Sequence, residues 1–183
     1  IVNAPEEIRV DLGVDITIGL GDSTRLEAMV NIPYDTLIWM PVDSFADSSN
    51  PVQVVQVNEA SYYNVLVVDE NGCIARDSII IFVDKVRSIF VPTAFSPNDD
   101  GNNDVFMVFA GKDVKEIKSF KIFDRWGNQV FGKESFQPND PFYGWDGHFN
   151  GQEMNSAVYV YFVEFEFIDG WIETQRGDVL LMR

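Results

Sequence analysis

The sequence contains one cysteine and one histidine in 183 residues. A single Cys cannot close an internal disulfide, and a single His cannot build a multi-histidine metal centre. Basic residues are scarce too, 13 against 29 acidic, and the net charge of −16 repels phosphate backbones. Nucleic acid is therefore not an expected partner, because binding of that kind rests on counterion release by Lys and Arg. No apolar run approaches the ~18 residues that a helical span requires, so direct membrane insertion is not expected either. No stretch sustains helical apolar spacing together with capping signals. The chain opens at Ile1 without a basic segment or cleavage site, which reads as a processed protein or a piece of a longer one. Catalytic pairings are equally poor. Cys73 and His148 fall in different halves, and His148 sits in the turn Asp146-Gly147-His148-Phe149. The expectation is a non-enzyme with no catalytic residues and no small-molecule substrate.

What is present favours strands. Hydrophobic residues make up 46% of the chain, too many for a disordered one. Residues 14–18 alternate apolar and polar, as do residues 25–29, and further strands are predicted at 37–39, 52–57, 62–68 and 74–83. Turn-forming segments at 19–22, 31–35, 48–51 and Asn71-Gly72 separate them. Strands at roughly ten-residue spacing imply an immunoglobulin-like sandwich. In the second half, strands are predicted at 106–110, 117–123 and 130–131. The longest, 158–167, carries an unbroken apolar face of Tyr159, Tyr161, Val163, Phe165 and Phe167. Asp169-Gly170 makes a hairpin turn into 171–174, and a last separate strand covers 178–182.

The chain divides after Ser88. Charge is shared between the halves, but residues 1–88 hold 6 aromatics and residues 89–183 hold 19. A shift of that size points to two domains with different cores. The expected fold class is all-β, two tandem β-sandwich domains, 1–88 and 89–183.

Four motifs in the second half carry a family likeness. They are Phe90-Val91-Pro92-Thr93-Ala94-Phe95-Ser96-Pro97-Asn98-Asp99-Asp100-Gly101-Asn102-Asn103-Asp104-Val105-Phe106, Ile122-Phe123-Asp124-Arg125-Trp126-Gly127-Asn128-Gln129-Val130-Phe131, Gly144-Trp145-Asp146-Gly147 and Val158-Tyr159-Val160-Tyr161. Together with the ending Gly177-Asp178-Val179-Leu180-Leu181-Met182-Arg183, this half resembles the gliding motility-associated C-terminal domain of Bacteroidetes surface proteins, the type B sorting domain of the type IX secretion system. Asp99 stands where that family usually has Gly, and Ala157 replaces the Gly before the VYVY strand. The first half is similar to the immunoglobulin-like repeats that precede such domains in large adhesins, through residues 19–26, Trp39-Met40-Pro41 and 63–73. Such repeats often pair the cysteine of Asn71-Gly72-Cys73 with one upstream. Ser48 and Ser49 stand in the segment where that partner is expected, which leaves Cys73 a buried free thiol.

The resemblance implies a folded signal for export through the periplasm to the outer cell surface or extracellular space. Its partners would be outer-membrane components of the type IX machinery and an associated barrel protein. Recognition candidates are Asp124, Arg125 and Trp126, Trp145 and Asp146, and the terminal Asp178, Val179, Leu180, Leu181, Met182 and Arg183. Trp and Arg are the commonest hot-spot residues, and a terminal strand can join a partner's sheet or present its carboxylate. The same residues also read as staples, with Arg125 pairing Asp146 and covering a tryptophan, and the last strand simply closing the sandwich.

Residues 96–104 place oxygen side chains at every second position, with Gly101 sixth as in an EF-hand loop, though position twelve is Met107. A calcium ion on Asn98, Asp100 and Asp104 is one reading, and a turn in which Asn and Asp bond their own backbone is the other. An alternative function is a calcium-stabilised carbohydrate-binding module stacking sugars on Tyr143, Trp145 and Trp171.

Overall fold

The computed structural model describes residues 6–183. The described residues are all β apart from two short 3₁₀ turns, Val42–Ser44 and Pro141–Tyr143, and the chain divides into two compact units between Val86 and Arg87. Among the described residues no helix is long and apolar enough to cross a membrane.

The first unit contains β1 (Val10–Asp11), β2 (Ile16–Gly19), β3 (Ser23–Glu27), β4 (Met29–Val30), β5 (Thr36–Met40), β6 (Val52–Gln56), β7 (Ser61–Val68) and β8 (Ile74–Asp84). One sheet has the order β2-β8-β7-β5, with β2 parallel to β8, and β3 pairs with β6 on the other side. The two layers enclose Leu26, Leu37, Val55, Val65, Val67, Ile79 and Ile81 around Trp39, in the immunoglobulin-like manner. Trp39 is 0% exposed, and its indole N–H donates to the Asn50 carbonyl at 3.0 Å, so the ring is buried without an orphaned donor. Cys73 corrects one expectation: it is exposed. Asp69 accepts from the Asn71 and Cys73 N–H groups at 2.9 and 2.8 Å, and this Asx turn holds Cys73 at the tip of the β7–β8 hairpin, away from the core. The Asp69 carboxylate beside it pushes the thiol pKa up.

The second unit comprises β9 (Ile89–Phe90), β10 (Ala94–Phe95), β11 (Phe109–Ala110), β12 (Val114–Phe123), β13 (Gln129–Phe136), β14 (His148–Phe149), β15 (Gln152–Glu153), β16 (Ala157–Phe167) and β17 (Ile172–Leu181). A five-stranded sheet runs β10-β17-β16-β12-β13. The opposing layer is fragmentary: the β9–β11 pair, the β14–β15 pair and the bridge Phe106↔Trp145. Tyr159, Tyr161, Val163, Phe165 and Phe167 point into the core, each no more than 5% exposed, as their alternation predicts. They meet Phe95, Phe106, Phe120 and Trp145 there, with ring centroids 5.6 Å apart for Phe106–Tyr161 and 4.9 Å for Trp145–Tyr159.

Two departures from the sequence expectation are instructive. Residues 171–174 and 178–182 do not form separate strands. They merge into β17, which pairs with β16 from Glu166↔Ile172 to Ala157↔Leu181. Gly177 permits this because Tyr161 crosses directly over it. A Cβ at Gly177 would lie 2.7 Å from the Tyr161 hydroxyl oxygen. The second departure is β12, whose buried residues Val114, Ile117, Phe120 and Ile122 do not alternate. Register shifts between Val114 and Glu116 and between Ile117 and Ser119 each absorb one residue. The absorbed residues are Lys115 and Lys118, and both reach Glu166, Lys118 at 3.0 Å.

Lys115 and then Lys118 hold the Glu166 carboxyl below the usual range. The folded protein therefore gives up this proton more readily than the unfolded chain does. Its stabilising contribution is complete above the ordinary glutamate range and is lost as pH falls through the lowered folded value. Melting temperature should thus drop on acidification, and Glu166→Gln should flatten that acid limb while lowering Tm near neutrality. A limb unchanged by the substitution would show that Glu166 does not contribute to it.

Candidate recognition surface

Asp124 begins the turn between β12 and β13. Its Oδ1 accepts from the N–H groups of Trp126 and Asn128 at 2.8 and 2.9 Å, and its Oδ2 from the Asn128 amide at 2.8 Å. These bonds, the Asn128 side chain foremost, hold its carboxyl below the usual range. Gly127 completes the turn at φ +82°, a conformation that L side chains rarely adopt. The Asp124 carboxylate thus serves its own turn, fixing the backbone that carries Arg125 and Trp126. What the turn presents is Trp126, 76% exposed, with the Arg125 guanidinium 5.2 Å from the ring centre. The turn forms one wall of a groove of about 390 Å³, whose other wall includes Phe149, Glu153, Asn155 and Val158.

Trp145 requires a correction. It is 1% exposed, donates its indole N–H to the His148 carbonyl at 2.8 Å, and exchanges backbone hydrogen bonds with Phe106 at 2.8 and 2.9 Å. Enclosed in this way it is a core ring that pins the 145–148 turn, and it cannot touch a partner or a sugar. Arg125 makes no ion pair with Asp146. Asp146 instead accepts from the His148 N–H at 2.9 Å, with the His148 ring 3.3 Å away. The stacking platform loses its middle member as well. Tyr143 lies flat on Phe136, ring centroids 4.9 Å apart, and Trp171 stands at the β16–β17 turn beside Arg87.

The C-terminal strand splits its candidates by face. Val179 and Leu181 are 0% exposed and belong to the core, so their side chains are not available as an epitope. Asp178, Leu180 and Met182 face outward. The backbone at the tip is paired on both sides, since β10 runs parallel to it with Ala94↔Leu180 and Phe95↔Leu181. Arg183 is a clamp that sequence reasoning did not find. Its Nε donates to the Met154 carbonyl at 3.0 Å, Nη2 to the Gly147 carbonyl at 3.1 Å, and Nη1 lies 3.2 Å from Glu153. Only a pairing across the fold reveals it, although the separation of Arg183 from the 145–148 motif is large in sequence.

The 96–104 loop closes on itself. Asp104 Oδ1 accepts from the N–H groups of Asn98 and Asp99 at 3.0 and 2.7 Å, and Oδ2 from that of Gly101 at 2.8 Å. Asp100 accepts from the Asn102 N–H and the Asn98 amide at 2.8 and 3.0 Å, contacts that lower its pKa. Asp99 takes φ 61°, so the turn that the resemblance assigns to Gly is made with an Asp. Among the described residues no group of three or more His, Cys, Asp or Glu side chains is placed to hold a metal ion. The side-chain oxygens of Asn98, Asp100 and Asp104 accept from N–H groups of their own loop, the pattern that a self-bonded Asx turn requires.

Residues 89–180 match the family model of the CHU_C Type IX secretion signal domain, just over half of the chain. No curated protein matches. Solved structures with a likeness include fibronectin(III)-like modules of Clostridium thermocellum CbhA, at 14% identity and TM-score 0.35, covering 96% of this chain and 93% of that one. Dimeric latent PorU from Porphyromonas gingivalis is 11% identical with TM-score 0.34, covering 93% of this chain and 19% of that one. SGBP-B of Bacteroides ovatus, in complex with a mixed-linkage heptasaccharide, is 10% identical with TM-score 0.37, covering 98% and 48%.

If Asp104 is the staple of its loop, Asp104→Ala in chelator-treated protein should lower stability by about 1 kcal/mol. Millimolar calcium added to the chelated wild type should leave Tm where it was. A calcium-dependent rise abolished by the same substitution would restore the metal reading. The match over residues 89–180, on a sheet built from the motifs that the family shares, makes this chain a member of the type IX secretion signal domain family.

Proposed function

We propose that this chain is part of a secreted cell-surface protein in which residues 89–183 are the folded export and sorting signal and residues 1–88 are an immunoglobulin-like repeat of an adhesin stalk, of the kind that serves gliding motility. The family match over residues 89–180 carries the reading. The signal is read by outer-membrane components of the type IX machinery and an associated barrel protein, and the reading requires no catalysis and no small-molecule substrate.

The groove beside Trp126 supports a recognition role. A ring left 76% exposed adds little to folding, because the hydrophobic gain follows area removed from water. Trp126 and Arg125 together have the composition of an interface hot spot. Asp124, Trp145 and Arg183 set the turns that frame them.

A reporter fused ahead of the full chain in a host with this secretion system should reach the cell surface, while the reporter alone stays in the periplasm. Trp126→Ala should leave Tm within a degree or so, since little buried area is lost, yet reduce surface display. Retention of the wild-type fusion in the periplasm would sink the sorting reading. Undiminished display of Trp126→Ala would remove this turn from the recognition surface.

A further inference from the structure

Most of one edge of β17 is unused. On one side β16 pairs with the whole strand, and on the other β10 covers only Leu180 and Leu181. The N–H groups of Leu180 and Met182 donate to the Thr93 and Phe95 carbonyls on the β10 side. Backbone groups alternate in direction along a strand, and the β16–β17 register runs without a bulge. Ile172, Thr174, Arg176 and Asp178 therefore point their N–H and C=O groups to that same side, where β17 has no neighbour beyond β10. All four side chains are exposed. β10 does not extend over them: it is two residues long, Pro92 precedes it, and Ile89–Phe90 pair with β11 in another sheet. A row of outward backbone groups is completed by another extended chain.

Charge narrows what that chain is. Phe162 lies opposite Arg176 on β16, and Lys121 opposite Phe162 on β12. Lys121, Phe162 and Arg176 thus form one row across the outer face, with the Phe162 ring 39% exposed between two cations. Arg176 has no carboxylate within ion-pair distance among the described residues, and Lys121 reaches Glu134 only at 3.9 Å. The row is a narrow basic strip with carboxylates on either side, Glu164 two residues from Phe162 on β16 and Asp178 two residues from Arg176 on β17, and Arg176 is its one cation without an acidic partner among the described residues. A strand added at β17 places a side chain about 5 Å from Arg176, the spacing of directly opposed residues.

We propose that the Ile172–Asp178 edge of β17 receives an extended, acid-bearing segment of the secretion machinery by strand addition, a carboxylate of that segment lying against Arg176. This rests on the sorting reading above and adds to it the site and the chemistry of the partner. A second copy of the chain is a poor occupant. It brings like charge onto like, and the antiparallel register that opposes Arg176 to Asp178 of the copy sets Thr174 of the copy against Leu180, where β10 already lies.

Two variants of the full chain test this behind the same reporter. Thr174→Pro removes an outward N–H and leaves the β16 ladder whole, since edge positions of this kind tolerate proline. Arg176→Glu reverses the charge on an exposed side chain. Wild-type fusion should be displayed, and both variants should keep the wild-type melting transition while display falls by about fivefold, the loss expected from one hydrogen bond or one charge pairing. A wild-type fusion retained in the periplasm overturns the sorting reading itself. Displayed wild type with equally displayed, folded variants overturns strand addition alone. Loss with Thr174→Pro but not with Arg176→Glu retains the edge and overturns the acidic partner. Should Thr174→Pro fail to fold, Ile172→Pro, which removes another outward N–H of the same edge, takes its place in these comparisons.

Discussion

The second unit depends on its last strand. β17 pairs with β16 over ten residues and contributes Val179 and Leu181, both 0% exposed, to the core. It also pairs with β10 at the edge of the sheet, and Phe95 enters the core from there. Arg183 then closes the end of the strand onto the carbonyls of Met154 and Gly147. Removing the last residues would take two core side chains, one strand pairing and one clamp in a single step. Residues 178–183 are thus integrated into the folded domain and are not a free linear segment.

The same economy explains what the shared motifs do. Phe95 and Phe106 of the first motif, Ile122 and Val130 of the second, and Trp145 of the third are core residues. Asp124, Asp100 and Asp104 spend their carboxylates on local N–H groups, which satisfies turns that would otherwise leave donors unpaired. Most of the motif chemistry therefore specifies a fold. The side chains that the fold does not consume, Trp126 with Arg125 and the outward residues of β17, are exposed, and the proposed recognition role rests on them.

Legibility in the sequence followed the range of the interaction. The apolar face of β16 could be read directly, because strand alternation is a period-two signal within one segment. The Asp169-Gly170 hairpin was readable from its turn dipeptide, which is also a local signal. β12 was less so, since its two register shifts break the alternation and its length shows only against β16. The merger of 171–174 with 178–182 was hidden by Gly177, which looks like a break until Tyr161 is seen lying over it. Trp145 was legible as a motif residue but not as a buried one, because nothing local distinguishes an aromatic at a turn that points in from one that points out. Cys73 failed in the opposite sense. Its exposure follows from the Asp69 turn, a hydrogen-bond pattern that hydrophobicity does not encode.

An open strand edge is normally a hazard, for it invites pairing with any extended chain. Here three features restrain it. The free stretch is short, running only from Ile172 to the start of the β10 pairing. It carries Arg176 and Asp178, charges that blunt indiscriminate strand addition, and it belongs to a molecule whose net charge keeps copies apart. Those restraints act against a second copy and against neutral apolar strands, but far less against a segment that brings its own carboxylate to Arg176. The charges that discourage a second copy are thus the ones that give the proposed edge its preference. Charge sets the preference while the backbone ladder supplies the attraction, and neither alone would distinguish a partner from an accident.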